Sequence, residues 1–136
     1  MDPISETMKI GSAGMNAQAT RLRVISENVA NAQSTGNSPG ADPYRRKTIT
    51  FSQHVDRASG ANTVQVKKIG RDMSAFPTEY NPSHPAANTQ GYVKMPNINS
   101  VIEMSDMREA SRSYEANVNM VEQAKAMLNR TIDLLK

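Results

Sequence analysis

Two stripes of apolar residues, one at each end of the chain, restrict what this sequence can build more than any other feature. Near the N-terminus, positions 4, 8, 11, 15, 18, 22, 25 and 29 alternate by four and three. They hold Ile4, Met8, Gly11, Met15, Gln18, Leu22, Ile25 and Val29. Towards the C-terminus the same alternation runs through Met107, Ser111, Tyr114, Val118, Val121, Lys125, Leu128, Ile132 and Leu135. A seven-residue repeat of this kind traces a narrow seam along a helix, the geometry of a coiled coil rather than of a broad globular face. A C-terminal helix of ~36 residues is roughly 54 Å long, too long and too narrowly striped to fold back on itself. Gly11, Gly14 and Gln18 weaken the first stripe, so the N-terminal helix is marginal alone.

Local signals agree with these limits. Asp2 is a good N-cap, and Pro3 suits the first helical position, where its missing N–H costs nothing. Ser100 and Glu103 read as a capping box at the start of the second helix. The stretch between the helices changes character. Lys47 to Val55, "KTITFSQHV", and Asn62 to Gly70, "NTVQVKKIG", alternate in polarity as short strands do, with "DRASGAN" between them as a hairpin turn. Pro77, Pro82 and Pro85 rule out helix beyond that, and an extended surface segment is expected there. The reading is mainly α with a small β element, an α+β chain: residues 1–31 an N-terminal helix, 32–97 a central loop and β-hairpin segment, 98–136 a C-terminal helix. The two helices are expected to pack as a coiled coil.

Composition says what these helices are for. Leu, Ile, Val and Phe make up only 23 of the 136 residues, while Met contributes nine and Trp none. That is thin for a self-sufficient core, yet a net charge of +3 is too small for a permanently disordered chain. A two-helix hairpin with a β insertion would leave much Ala and Met surface in water. Small residues at Ala13, Ala17, Ala30, Ala116, Ala124 and Ala126 let further helices approach closely. The chain is therefore expected to complete its core against other subunits. The packing set is Met8, Met15, Leu22, Ile25, Val29, Met107, Tyr114, Val118, Val121, Leu128, Ile132 and Leu135, with Asn28 and Asn31 as capping or cross-helix polar groups at the first helix end.

Other classes fall away. Without cysteine there is no disulfide framework or thiolate metal site. His54 and His84 lack a second histidine at ligand spacing, and no phosphate-loop or dinucleotide pattern occurs, so no enzyme activity, cofactor or small-molecule substrate is expected. Arg45, Arg46 and Lys47, with Lys67, Lys68 and Arg71, read either as a basic patch or as a solvated hairpin edge. With aromatics at 4% the chain lacks stacking platforms, so no nucleic-acid partner is expected. No apolar run approaches the ~20 residues of a membrane span, and "MDPISETMKI" has neither a basic nor an apolar signal region.

Particular residues then point to a family. "RLRVISENVANAQSTG" resembles the N-terminal signature of flagellar rod, hook and hook-associated proteins, with Ser26, Asn28, Ala30 and Asn31 matching its helix end. "GYVKMPNINSVIEMSDMREASRSYEANVNMVEQAKAML", residues 91–128, is similar to the C-terminal half of proximal-rod proteins of the FlgC type, above all Gly91 to Asn97. One departure stands out: Thr35 and Tyr44, nearly adjacent in the family's compact turn, are separated here by "GNSPGADP". The resemblance implies a structural subunit of the flagellar basal-body rod that transmits motor torque for motility. It implies export through the flagellar type III apparatus without a cleaved signal peptide, and a place in the periplasmic rod. The implied partners are the other rod proteins, further copies of itself in a helical assembly, and the junction protein joining rod to membrane ring. A soluble export adaptor that binds partner helices through the same stripes is the alternative. The extra residues 36–43 are expected to project and touch a neighbouring subunit.

Overall fold

The computed structural model describes residues 2–136. In chain order it contains α1 (Pro3–Ala30), β1 (Lys47–Val55), β2 (Asn62–Arg71), β3 (Thr78–Tyr80), β4 (Tyr92–Lys94) and α2 (Ser100–Leu134). Two long helices with two small two-stranded sheets make an α+β chain. Asp2 starts α1 from outside: its Oδ1 accepts the Ser5 N–H at 2.9 Å and its carbonyl accepts the Glu6 N–H at 3.1 Å. The Ser5 backbone N–H and then the Ser5 hydroxyl hold the Asp2 carboxyl below the usual carboxylate range. The start of α2 differs from expectation. Asn99, not Ser100, is its cap, with Oδ1 accepting the Val101 N–H at 3.1 Å. The supposed capping box is absent because Glu103 is turned inward and buried.

β1 and β2 form one two-stranded sheet. Asp56 turns the chain between them, accepting the Ala58 N–H on Oδ1 at 2.9 Å and donating its own N–H to Ala61 O at 2.9 Å. Gly60, at φ 73°, takes the left-handed position that this tight return requires. The proline-rich stretch does more than run along the surface. Its prolines flank a short antiparallel pair, Thr78 opposite Lys94, Glu79 opposite Val93 and Tyr80 opposite Tyr92. Val93 turns inward onto Ala86, Ala87 and Met95 to make a small apolar cluster. Tyr80 and Tyr92 meet edge to face on the other side, ring centroids 5.3 Å apart. Gly91, at φ 88°, lies under them; a Cβ there would come within 2.9 Å of Tyr80 Cε2.

The sequence reads as three consecutive stretches, whereas the contacts group into two compact units that each draw on all three. Unit 1 comprises Met1–Leu22, Ile49–Lys68 and Arg108–Lys136; unit 2 comprises Arg23–Thr48 and Ile69–Met107. In unit 1 the helices run antiparallel: Gly11 faces Val121, Gly14 faces Asn117, and Arg21 pairs with Glu109 at 3.5 Å. In unit 2 the extra residues 36–43 fold back on the chain. Tyr44 N–H closes the loop on Ser34 O at 2.9 Å, Gly40 N–H reaches Ala86 O at 3.2 Å, and Lys94 pairs with Asp42 at 3.1 Å. Pro43 is buried, while residues 37–40 and Asp42 are exposed. The projection expected from loop length alone is thus reduced to the exposed tip, because the loop base is hydrogen-bonded shut.

Candidate functional site

Two constructions hold the helices, and each uses residues that look unremarkable in the sequence. The first is the seam of unit 1. Gly11 and Gly14 of α1 are buried there, and Ala110 and Ala124 are the buried residues of α2 in this unit. A Cβ built on Gly11 would sit 2.7 Å from Val121 Cγ2 and 3.4 Å from Asn117 O; one built on Gly14 would sit 2.5 Å from Asn117 Oδ1. The glycines that weaken α1 as an isolated helix are therefore what lets α2 lie against it. Small residues allow the two backbones to approach, and dispersion rises steeply as the gap closes.

This arrangement moves the seam relative to the spacing argument. On α2 the most buried residues, Glu103, Ala110 and Ala124, fall one heptad or two apart, in register with half-buried Asn117. Met107, Tyr114, Val118 and Val121 flank that line and are half-buried. On α1 Ile25 is buried, while Met8, Met15, Leu22 and Val29 are half-buried flankers. Leu128, Ile132 and Leu135 are exposed, and Leu135 lies just past the end of α2. Lys125 and Ser111, counted into the stripe by spacing, leave the centre to Ala124 and Ala110, whose missing bulk suits close contact.

The second construction is a polar knot in unit 2. Asn28, buried in the last turns of α1, reads the backbone of Lys47 from both sides: Nδ2 donates to Lys47 O at 2.9 Å, and Oδ1 accepts the Lys47 N–H at 2.9 Å. One carboxamide thereby does what a neighbouring strand would do for the first residue of β1. Asn97 repeats the device next door, accepting the Arg46 N–H on Oδ1 at 2.8 Å and donating Nδ2 to Asp72 O at 2.9 Å. Asp72 N–H in turn reaches Arg46 O at 2.9 Å. Asn31 finishes α1, its Nδ2 donating to Glu27 O at 2.8 Å and its Oδ1 accepting the Ser34 hydroxyl at 2.9 Å.

Charges complete the knot. The Arg46 guanidinium binds buried Glu103, with Asp72 at 3.7 Å and Asp106 at 4.0 Å. Lys47 pairs with Glu27. Arg45 donates to the carbonyls of Asp72 and Ser74 at 2.8 and 3.1 Å and lies over the Phe76 ring, 4.1 Å from its centroid. Arg71 donates to Arg45 O at 2.8 Å. The run of three basic residues is thus neither a ligand patch nor a solvated edge, since its charges are spent within the chain. The hydrogen bond from Lys47 holds the Glu27 carboxyl below its usual range. Asp72 is lowered too, first by the Ser74 backbone N–H and its hydroxyl, then by Arg46 and Arg45.

Glu103, Arg46 and Asn97 were not foreseen as a site. One signal for Glu103 existed: an acidic residue in heptad register with Ala110, Asn117 and Ala124 needs a cation to enter the interior. Among the described residues no cluster of His, Asp or Glu has the makings of a metal site, and no helix is long and apolar enough to cross a membrane.

Polar groups spent internally and helices joined along a small-residue line define a structural, helix-presenting subunit. Comparison with known proteins narrows that class. The family described as "Flagella basal body rod protein" matches residues 8–36, and "Flagellar basal body rod FlgEFG protein C-terminal" matches residues 89–134. The chain is 57% identical to the flagellar basal-body rod protein FlgC of Agrobacterium fabrum over 136 residues, covering 100% of this chain and 98% of that protein. It is 41% identical to the FlgC of Escherichia coli O6:H1, with 92% of each chain covered. Against the Bacillus subtilis FlgC the identity is 33%, with 96% and 97% covered. The chain belongs to the FlgC family of flagellar basal-body rod proteins; it is a structural rod subunit and not an enzyme.

Proposed function

We propose that this subunit builds the proximal rod by packing its terminal helices against those of neighbouring subunits, itself included, and that this packing carries motor torque across the periplasm. The observation that carries the reading is the end of α2. Leu128, Ile132, Leu134 and Leu135 are 38, 46, 85 and 82% exposed, a density of large apolar groups that a chain so poor in them does not spend on water. Met8, Met15, Leu22, Val29, Tyr114 and Val118 are half-buried and add further apolar side chains on both helices. On this reading the twelve stripe residues, Ile25, Met107, Val121, Leu128, Ile132 and Leu135 included, belong to a coiled-coil-like wall completed between chains. Asn28 and Asn31 hold the helix end from which the central segment, residues 32–97, departs.

The wider setting follows from the same reading. The subunit reaches the rod through the flagellar export apparatus without a cleaved signal peptide, and meets the other rod proteins and the junction protein at the membrane ring. An export-adaptor role is not favoured by the FlgC relatives. The decisive substitution is Leu128→Asp. Because Leu128 is exposed in the single chain, a charge there leaves the subunit's own fold intact, but it becomes an unpaired buried charge once a neighbour covers it. Motility and recovery in purified basal bodies should both be lost while the helix content of the isolated chain is unchanged. A motile Leu128→Asp strain with normal basal bodies would refute assembly through this surface.

A further inference from the structure

Several turns in this chain are closed by a side chain that accepts the backbone N–H two residues on. Asp56 takes the Ala58 N–H, Asp72 the Ser74 N–H and Asn88 the Gln90 N–H, each on Oδ1 at 2.9 Å. Asp and Asn are the usual residues for this task. At residue 84 a histidine takes their place: His84 Nδ1 accepts the Ala86 N–H at 3.0 Å. A ring nitrogen that accepts carries no proton, so the imidazole is the neutral tautomer with its hydrogen on Nε2. Nε2 lies 3.3 Å from Thr35 Oγ1, which accepts that hydrogen.

The ring stands where the extra residues 36–43 meet the proline-rich loop of unit 2. Ala86, whose N–H it holds, is buried beside Ala87 and Val93 and turns its carbonyl to the Gly40 N–H at 3.2 Å. The loop backbone is fixed around the ring, with His84 N–H on Asn81 O at 3.1 Å and Ala87 N–H on His84 O at 3.0 Å. One imidazole thus ties Thr35, at the base of the turn, to the residue that holds its tip. The elements joined here also carry Asp42 and Lys94, exposed and paired at 3.1 Å, Tyr44 at the turn base, and Glu79, Tyr80 and Tyr92 on β3 and β4. Among the described residues none of these bonds to the ring. Protonation removes the acceptor, because both nitrogens of an imidazolium are donors. Nδ1–H would face the Ala86 N–H, donor against donor, and turning the ring over offers only a C–H in its place. A buried N–H left without a partner is costly, so the backbone at Ala86 must move.

We propose that His84 is a pH-sensitive latch: neutral, it docks the turn 36–43 on the proline-rich loop, and protonated, it lets go of Ala86 and frees the turn through the Gly40 contact. The latch rests on geometry within unit 2 and is independent of the rod reading. The test is amide hydrogen exchange of the full-length chain at about pH 7.5 and about pH 5.5, within the range where imidazoles change charge, corrected for intrinsic rates. Its companion variant is His84→Asn, which keeps an acceptor of similar reach, as Asn88 shows at Gln90, but does not titrate. In the wild type, exchange at Gly40 and Ala86 should quicken about tenfold at the lower pH, the worth of one hydrogen bond. Lys47, whose N–H is held by the Asn28 carboxamide, should not respond. In His84→Asn the acid response at Gly40 and Ala86 should vanish. Nitrogen-15 shifts of the wild-type imidazoles at about pH 7.5 should place the His84 hydrogen on Nε2. That reading needs no variant, so it decides even where His84→Asn folds poorly. A hydrogen on Nδ1, wild-type exchange that ignores pH, or an equal acid response in a folded His84→Asn chain would each overturn the latch.

Discussion

The same two helices are held in two different ways. In unit 1 they meet where Gly11 and Gly14 face Val121 and Asn117, and there the contribution comes from side chains that are missing. In unit 2 the ends of α1 and α2 meet a hairpin through Asn28, Asn97, Arg46 and Glu103, where it comes from amides and charges with fixed partners. A small-residue seam is non-directional: it tolerates sliding and leaves the large flanking residues free for other chains. A bidentate amide or a buried ion pair is directional and tolerates almost none. The contrast suits a rod subunit whose unit 1 presents helices for assembly while unit 2 sets where the central segment leaves them.

The sharpest way to break this contrast is Glu103→Ala. It removes the buried partner of Arg46 and leaves the guanidinium with only Asp72 and Asp106, at 3.7 and 4.0 Å. Deleting one member of a fully buried pair costs about 3 kcal/mol or more; here the loss is smaller, because Arg46 is partly exposed and keeps Asp72 and Asp106. Hydrogen exchange should report lost protection around residues 44–48 and 97–103, with the Gly11–Val121 region nearly unchanged. An equal loss in both regions would mean that the two constructions are one cooperative unit.

A smaller effect separates the two seam glycines. Gly11→Ala drives its Cβ to 2.7 Å from a β-branched Val121 methyl, which has little room to rotate away. Overpacking of this kind costs about 1–3 kcal/mol, of which roughly 1 is returned by better helix propensity. At Gly14 the obstacle is the carboxamide end of Asn117, a terminal group that can turn aside at the cost of its single bond to Ser113 O. Urea denaturation should therefore show Gly11→Ala destabilised and Gly14→Ala close to neutral. If Gly14→Ala proves the more damaging, the Asn117 amide is fixed in place and the seam is more directional than argued.

These features explain how legible the chain was. Both helices, the hairpin strand Lys47–Val55 and its turn were readable, because periodicity and turn chemistry are local. The β3–β4 pair was not, since three-residue strands among prolines lack a period. The seam's exact face was missed for a physical reason: hydrophobic spacing finds large residues, whereas helices approach closest where residues are small, so Gly11 and Gly14 read as flaws. Arg46 and Glu103 were missed because a charge reveals its burial only through a partner, and that partner lies 57 residues away.

The last and smallest effect is acid. Glu27 and Asp72 both have carboxyls held below their ordinary values of 4.5 and 3.8, by Lys47 and by Ser74 with Arg46 respectively. A carboxyl whose folded pKa is depressed binds protons more readily when unfolded. Its contribution is therefore complete above the ordinary value and is lost as pH falls through the folded one. Both groups belong to unit 2, so acidification from neutral to below about pH 4 should loosen residues 44–48 and 72–74 before the seam. The Gly11–Val121 seam is apolar at its centre, with the Glu109 carboxylate of the Arg21–Glu109 pair exposed, and should hold longer, apart from fraying at the first turn of α1, where Asp2 is similarly depressed. Amide exchange along a pH series, corrected for intrinsic rates, measures the order directly. If the seam opens before the hairpin base, the knot draws its hold from the amides of Asn28 and Asn97, which do not titrate, rather than from its charges.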